Sequence, residues 1–241
     1  MTNDIPSRGM RDTQEIRRGV VRRVVQVALL VVFQASVLFL AAGRLDWAWG
    51  WVYIGVYLVV APINALFLLR YSPGTIADRA EARGMRDWDK VVGGLFGVMY
   101  FIVLLLVAGL DVRYNWTGEV DLWIHIIGTI GSLLGFSLFS WAMISNAYFS
   151  TVARIQDDRG QTVCTTGPYR YVRHPGYIAG ILQSLSNPLL FGSIWSFLPG
   201  ALAATLLVLR TLLEDRMLHE ELEGYPEYAS QVRFRLLPGV W

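Results

Sequence analysis

Two short stretches of the chain concentrate the residue types that could bind a charged ligand or steer a reacting group. The first is Gly167-Pro168-Tyr169-Arg170-Tyr171-Val172-Arg173-His174-Pro175-Gly176-Tyr177. Proline suits the first position of a helix, where the amide hydrogen it lacks would have been unpaired anyway, so a helix is expected to begin at Pro175 with His174 as its cap. Unpaired amides at that helix start, together with Arg170 and Arg173, would suit a carboxylate or another anion. Tyr169, Tyr171 and Tyr177 could line it with a flat aromatic wall. The second stretch is Arg210-Thr211-Leu212-Leu213-Glu214-Asp215-Arg216-Met217-Leu218, followed by Tyr225 and Tyr228. Arg210 and Glu214 share one face of a helix and could pair to orient a ligand. By residue type alone the arginines also read as positive-inside residues, the tyrosines as an interfacial belt and the pair as a weak surface contact.

These residues need elements to hold them, and the composition points to a bundle of membrane helices. Of 241 residues 54% are hydrophobic, and the formal charge is only +2. Lys90 is the single lysine, so the sequence carries no broad basic surface for nucleic acid. One cysteine, Cys164, excludes an intramolecular disulfide framework and a cysteine metal cluster. A bilayer core takes about 20 apolar residues as a helix. Four runs meet that requirement: Val24 to Ala42, Trp47 to Leu69, Val91 to Leu110 and Leu122 to Ser145. The apolar region Tyr177 to Leu209 is interrupted by Asn187, Pro188, Gly192 and Ser193, and reads as a tight helical hairpin with its tip at the far interface. The expected organisation is therefore an Arg-rich arm over 1–23, four spans over 24–145, and a polar loop, hairpin and tail over 146–241.

Arginine and lysine are unevenly shared among the connections, which sets orientation. The arm (Arg8, Arg11, Arg17, Arg18, Arg22, Arg23), the second loop (Arg70, Arg79, Arg83, Arg86, Lys90), the fourth loop (Arg154, Arg159, Arg170, Arg173) and the tail (Arg210, Arg216, Arg233, Arg235) are expected in the cytoplasm. Trp47, Trp49, Trp51, Trp116 and Trp123 then fall at outer span ends as interfacial anchors. The first 23 residues are polar and precede an apolar run too long for a signal-peptide core, so that run reads as a retained first span, and the membrane as the plasma (inner) membrane. The spans hold almost no ionisable residues. His125 stands near an outer end, where a structural role is the simpler reading. Function is thus expected in the loop 146–176 and the segment from Arg210 onward.

The first stretch resembles the signature of the isoprenylcysteine carboxyl methyltransferase and phospholipid methyltransferase superfamily, G-x-Y-x-x-x-R-H-P-x-Y before a helical hairpin, with all six fixed positions met. Gln161-Thr162-Val163-Cys164-Thr165-Thr166 resembles the family's H-x-L-V-T-x-G lead-in, and Arg210 to Leu218 its R-x-x-x-E-E-x-x-L, with Glu220 to Tyr228 and Pro238 in the expected order. The resemblance covers roughly residues 135 to 241. It implies an all-α membrane bundle and a methyltransferase that uses S-adenosylmethionine, with a lipophilic or small membrane-permeant acceptor and no metal. It implies candidate catalytic residues Arg173, His174, Arg210 and Glu214. The cofactor-binding residues it implies are Gln161, Gly167, Tyr169, Arg173, His174, Pro175, Tyr177, Glu214, Asp215, Tyr225 and Tyr228. In that reading Glu214 and Asp215 hold the cofactor's cationic or hydroxyl groups and the surroundings of Arg173 and His174 hold its carboxylate. Two positions depart: Gln161 stands where many relatives have histidine, and Asp215 where the second glutamate is usual. A membrane reductase of the sterol-reductase type is the alternative enzyme, separated by nicotinamide cofactor binding; a non-catalytic scaffold would bind donor and methylate nothing.

Overall fold

The computed structural model describes residues 13–71 and 84–241, and every regular element among them is helical. In chain order these are α1 (Thr13–Ala42), α2 (Ala48–Tyr71), α3 (Asp87–Val98), a π-helical turn (Met99–Val103), α4 (Leu104–Tyr114), α5 (Leu122–Ser145), two 3-10 turns (Asp157–Arg159 and Gly167–Arg170), α6 (Pro175–Phe191), α7 (Phe197–Glu221) and α8 (Tyr225–Gln231). The π turn joins α3 and α4 into one continuous span, Asp87–Tyr114. Five helices are long and apolar enough to cross a membrane: Arg18–Ala42, Ala48–Phe67, Asp87–Tyr114, Leu122–Ser145 and Phe197–Glu221. All four expected spans are therefore present. Helix α1 starts earlier than the apolar run, so Arg18, Arg22 and Arg23 lie on it rather than in a separate arm. Arg8, Arg11, Arg79 and Arg83 lie outside the described residues.

The expected hairpin is made by α6 and α7, and its two arms are unequal. At about 1.5 Å per residue the 17 residues of α6 reach roughly 25 Å, short of a hydrocarbon core of roughly 30 Å. Helix α7 instead runs 25 residues to Glu221. Arg210, Glu214 and Asp215, expected in a tail beyond the hairpin, therefore sit on the same rigid helix that crosses the membrane. The break between the arms falls at Gly192, in the left-handed conformation at φ +67°, while Asn187 and Pro188 remain in the last turns of α6. Pro188 cannot donate to the carbonyl of Ser184, and Gly200 of α7 packs against that carbonyl, where a Cβ would come within 2.4 Å. At the tip the Ser193 hydroxyl donates to buried Asp111, which also receives Thr117 amide and hydroxyl hydrogens. The hairpin tip and the end of α4 are thereby locked together, at the opposite end of the bundle from Asp215.

Helices α5 and α6 lie almost backbone to backbone. Gly128, Gly131 and Gly135 recur on one face of α5, and a Cβ on them would come within 2.1 Å of the Leu190 nitrogen, 2.2 Å of the Ser186 hydroxyl and 2.7 Å of Gln183 Cγ. Small residues at such an interface let dispersion contacts accumulate where lipid supplies no hydrophobic drive. His125 has the structural role expected: its ring stacks on Trp49 with centroids 4.3 Å apart, and Nδ1 meets the Leu190 carbonyl at 2.8 Å. The spans are less quiet than their composition implies. Tyr100, in the π turn, donates to Gln183 at 3.0 Å and accepts from Asn187, which accepts from Ser132. Tyr53 donates to Gln34, whose amide nitrogen is buried without a partner among the described residues. Gly128→Ala should lower the detergent melting temperature by several degrees, since overpacking against backbone costs about 1–3 kcal/mol. Gly94→Ala, with nothing within 4 Å of its Cβ, should leave the temperature unchanged; equal behaviour of the two would refute the close contact.

Candidate functional site

The two sequence stretches meet at the end of the bundle where α6 begins and α7 emerges. Adjacent residues on a helix point about 100° apart, so Glu214 and Asp215 face different partners. Asp215 is 2% exposed and receives donors on both oxygens. On Oδ1 these are Arg173 Nε at 2.8 Å, the Tyr225 hydroxyl at 2.9 Å and His174 Nε2 at 3.1 Å. On Oδ2 they are Arg235 Nε at 2.7 Å and Arg173 Nη2 at 3.1 Å. Arg173 completes its set by donating Nη1 to the carbonyls of Val232 and Arg233, at 3.0 and 2.9 Å. Backbone amides of Arg173 and His174 donate to the carbonyls of Phe234 and Arg235, each at 3.0 Å, so the carboxyl-terminal segment is zipped alongside the start of α6. Burial foremost, and then the Asp215 charge, pushes the Tyr225 hydroxyl above its ordinary pKa, which keeps it a donor.

This arrangement alters several expected roles. Pro175 does open α6 with His174 at its cap, but the side chains of Arg173 and His174 turn to Asp215 and are buried, so they do not form an anion pocket at the helix start. Gly176 backs onto the Phe149 ring, 3.0 Å from where its Cβ would lie. Asp215, with both oxygens engaged, is not presented to a ligand as Glu214 is. Arg210 and Glu214 do not form the expected ion pair. Arg210 forks onto Asp89 instead, Nε to Oδ1 at 2.6 Å and Nη2 to Oδ2 at 2.8 Å, and adds the Thr151 carbonyl at 3.1 Å. Tyr177 bridges the two: its ring lies under the Arg210 guanidinium at 5.5 Å and its hydroxyl donates to Glu214.

Around half-buried Glu214 the aromatic residues gather. Tyr169 and Tyr225 are close enough for its charge to help raise their hydroxyl pKa values, although burial is the larger cause for both. Tyr228 donates to the Tyr169 carbonyl at 2.7 Å and fixes that turn. Gly167, at φ +57°, starts the turn, and a Cβ there would come 2.0 Å from the Ser145 hydroxyl. Gln161 is engaged within its own loop: its side-chain oxygen accepts from the Gln156 amide at 2.7 Å. Asp89 and Arg235 are the residues sequence reasoning missed. Asp89 reads as an ordinary acid in a first helical turn and Arg235 as one more cytoplasmic cation; only their partners distinguish them. Asp89, 1% exposed, also accepts from the Ala153 amide at 2.7 Å.

Removing one partner of a buried pair leaves an uncompensated charge and costs about 3–5 kcal/mol, whereas replacing both can be nearly neutral. Asp89→Ala should therefore destabilise detergent-purified protein by about that amount, and Asp89→Leu with Arg210→Met should recover most of it. Equal loss in the two would show that the ion pair is not what matters there. Asp215→Asn should be at least as damaging as Asp89→Ala, because Arg173 and Arg235 both lose their counter-charge, read as a lower melting temperature at pH 7.

No curated protein matches the chain. The phospholipid methyltransferase family model matches residues 123–223, which take in α5, the loop with Gly167 to Pro175, the hairpin and the Arg210 to Asp215 face of α7. Asp89 and Arg235 lie outside that match. Over residues 123–223 the chain is thus similar to the phospholipid methyltransferase family, part of the integral membrane isoprenylcysteine carboxyl methyltransferase-type superfamily.

Proposed function

We propose that this membrane methyltransferase takes its methyl group from S-adenosylmethionine and delivers it to a lipophilic or small membrane-permeant acceptor at the cytoplasmic end of the bundle. The observation that carries the reading is Glu214. Its carboxylate is half-buried, bonded to the Tyr177 hydroxyl and walled by tyrosines. A carboxylate offers about four acceptor positions, so Glu214 retains capacity for an ammonium or a ribose hydroxyl. The tyrosine-lined surroundings of Glu214 suit an adenine ring or a sulfonium, a cation drawn to a ring quadrupole. The residues present therefore fit the cofactor, with Glu214 as its main polar anchor. When bound, S-adenosylmethionine supplies an electrophilic methyl group on a sulfonium.

The chain's own part is alignment. Methyl transfer is an in-line displacement, and holding the reactants in register supplies much of what a general base does elsewhere. Arg210, clamped by Asp89, fixes the Tyr177 ring from one side while the Tyr177 hydroxyl fixes Glu214, so two charged residues position one another through an aromatic side chain. The Asp215 cluster holds Arg173 and His174 in the wall behind. A carboxylate acceptor needs only orientation, whereas an amine or thiol must also lose a proton. The location suits an apolar acceptor, which can enter laterally from lipid while the donor enters from water. The arginine count favours a cytoplasmic placement of this end; the plasma (inner) membrane is the proposed location.

Calorimetric titration of the detergent-purified protein with S-adenosylhomocysteine tests the reading without knowledge of the acceptor. Saturable binding by the wild type, weakened about tenfold or more in Glu214→Ala, or about 1.4 kcal/mol, is the expected result. Folded wild-type protein that binds nothing, or a variant that binds equally well, would overturn the assignment of Glu214.

A further inference from the structure

Behind the Asp215 cluster lies a second concave feature that methyl transfer does not use. Arg170, Tyr171, Arg233 and Phe234 line an open groove of about 350 Å³ between the turn Gly167–Arg170 and the segment that follows α8. Arg173 separates it from Asp215, because its Nη1 bonds the Val232 and Arg233 carbonyls on the groove side while Nε and Nη2 bond the carboxylate. The two groove arginines differ from their neighbours. Arg173 and Arg235 share Asp215, Arg216 pairs with Glu220, Arg86 with Glu221 and Arg154 with Asp158. Arg170 and Arg233 are both exposed and make no ion pair among the described residues. Two exposed arginines lining one groove suit an anion that can accept several hydrogen bonds, which phosphate does better than a single carboxylate.

The rim indicates where that phosphate comes from. Tyr171, on the groove lining, is 63% exposed, and Leu237 and Val240, beside the lining residue Pro238 in the chain, are 54% and 76% exposed. Tyr171 stands four residues before Pro175, the first residue of the membrane hairpin, so the groove opens at the level of the bilayer surface. Basic side chains flanked by apolar ones at that level match an anionic phospholipid, headgroup in the groove and acyl chains beside the apolar residues. We propose that this groove binds the phosphate of an anionic membrane phospholipid, Arg170 and Arg233 holding the headgroup and Leu237 and Val240 entering the interface. A lipid there would clamp the segment whose Arg235 completes the Asp215 cluster. Glu214 does not line this groove, and the proposal stands whether or not the methyl-transfer reading does.

Native mass spectrometry of the full-length protein in detergent, titrated with dioleoyl phosphatidylglycerol, dioleoyl phosphatidylcholine or inorganic phosphate, tests it. Phosphatidylglycerol should be retained in preference to phosphatidylcholine and should raise the melting temperature. Arg170→Gln with Arg233→Gln should weaken that retention roughly tenfold or more, while Arg216→Gln, an exposed cation already paired with Glu220, should not. A double variant that retains phosphatidylglycerol like the wild type would overturn the proposal, as would equal retention of phosphatidylcholine. Displacement of the lipid by millimolar phosphate would make this a soluble-anion site instead. Should the double variant not fold, Arg170→Gln and Arg233→Gln singly decide the matter: weakened retention in each supports the site, and unchanged retention in both refutes it.

Discussion

A carboxylate buried to 2% exposure can stay ionised only where the surrounding protein replaces its lost hydration. At Asp215 that replacement draws on three otherwise separate parts of the chain: Arg173 and His174 before α6, Tyr225 at the start of α8, and Arg235 near the carboxyl terminus. Each donor is held by further contacts, so the charge fixes the backbone course of all three segments at once. Two arginines against one carboxylate leave the cluster net positive, and the Val232 and Arg233 carbonyls, aimed at Arg173, offset part of that excess. The wall behind Glu214 is in this sense a consequence of one buried charge on α7.

A second constraint comes from the membrane end of the same helices. Because Gly128, Gly131 and Gly135 let α5 and α6 approach closely, α6 can be short and still be held firmly. Its short length brings the His174–Pro175 corner level with the stretch of α7 that carries Arg210, Glu214 and Asp215. Tyr177, in the first turn of α6, then reaches both Glu214 and the Arg210 guanidinium. Glycine packing in the bilayer and ion pairing at its surface are thus parts of one construction, the first setting the level at which the second takes place.

The Asp89–Arg210 pair ties this carboxyl-terminal half to the earlier spans. Asp89 lies in the first turn of α3, outside the segment matched by the family model, yet it clamps the arginine that lies over Tyr177. Thr151 and Ala153 of the connecting loop join the same cluster through their backbones. The spans before residue 123 therefore contribute more than a hydrophobic seat: one of them supplies a charge to the site.

The sequence by itself determined the architecture, because length and apolarity decide whether a helix can span a bilayer, and those are properties of contiguous residues. The spans, the hairpin and the helix start at Pro175 were legible for that reason, whereas the break was read across Asn187, Pro188, Gly192 and Ser193 and falls at Gly192, with Asn187 and Pro188 still inside α6. The order of the two motifs likewise marked the region of the site. Which charge answers which was not legible. Arg210 lies one helical turn from Glu214 and reads as its partner, yet it bonds Asp89, more than a hundred positions away. Glu214 and Asp215 read as a matched pair, yet the helical twist sends one to Tyr177 and buries the other beneath two arginines. Local spacing specifies only which residues share a helix face. Partnership between buried charges depends on which groups are brought together out of water, and that is decided only when the helices pack.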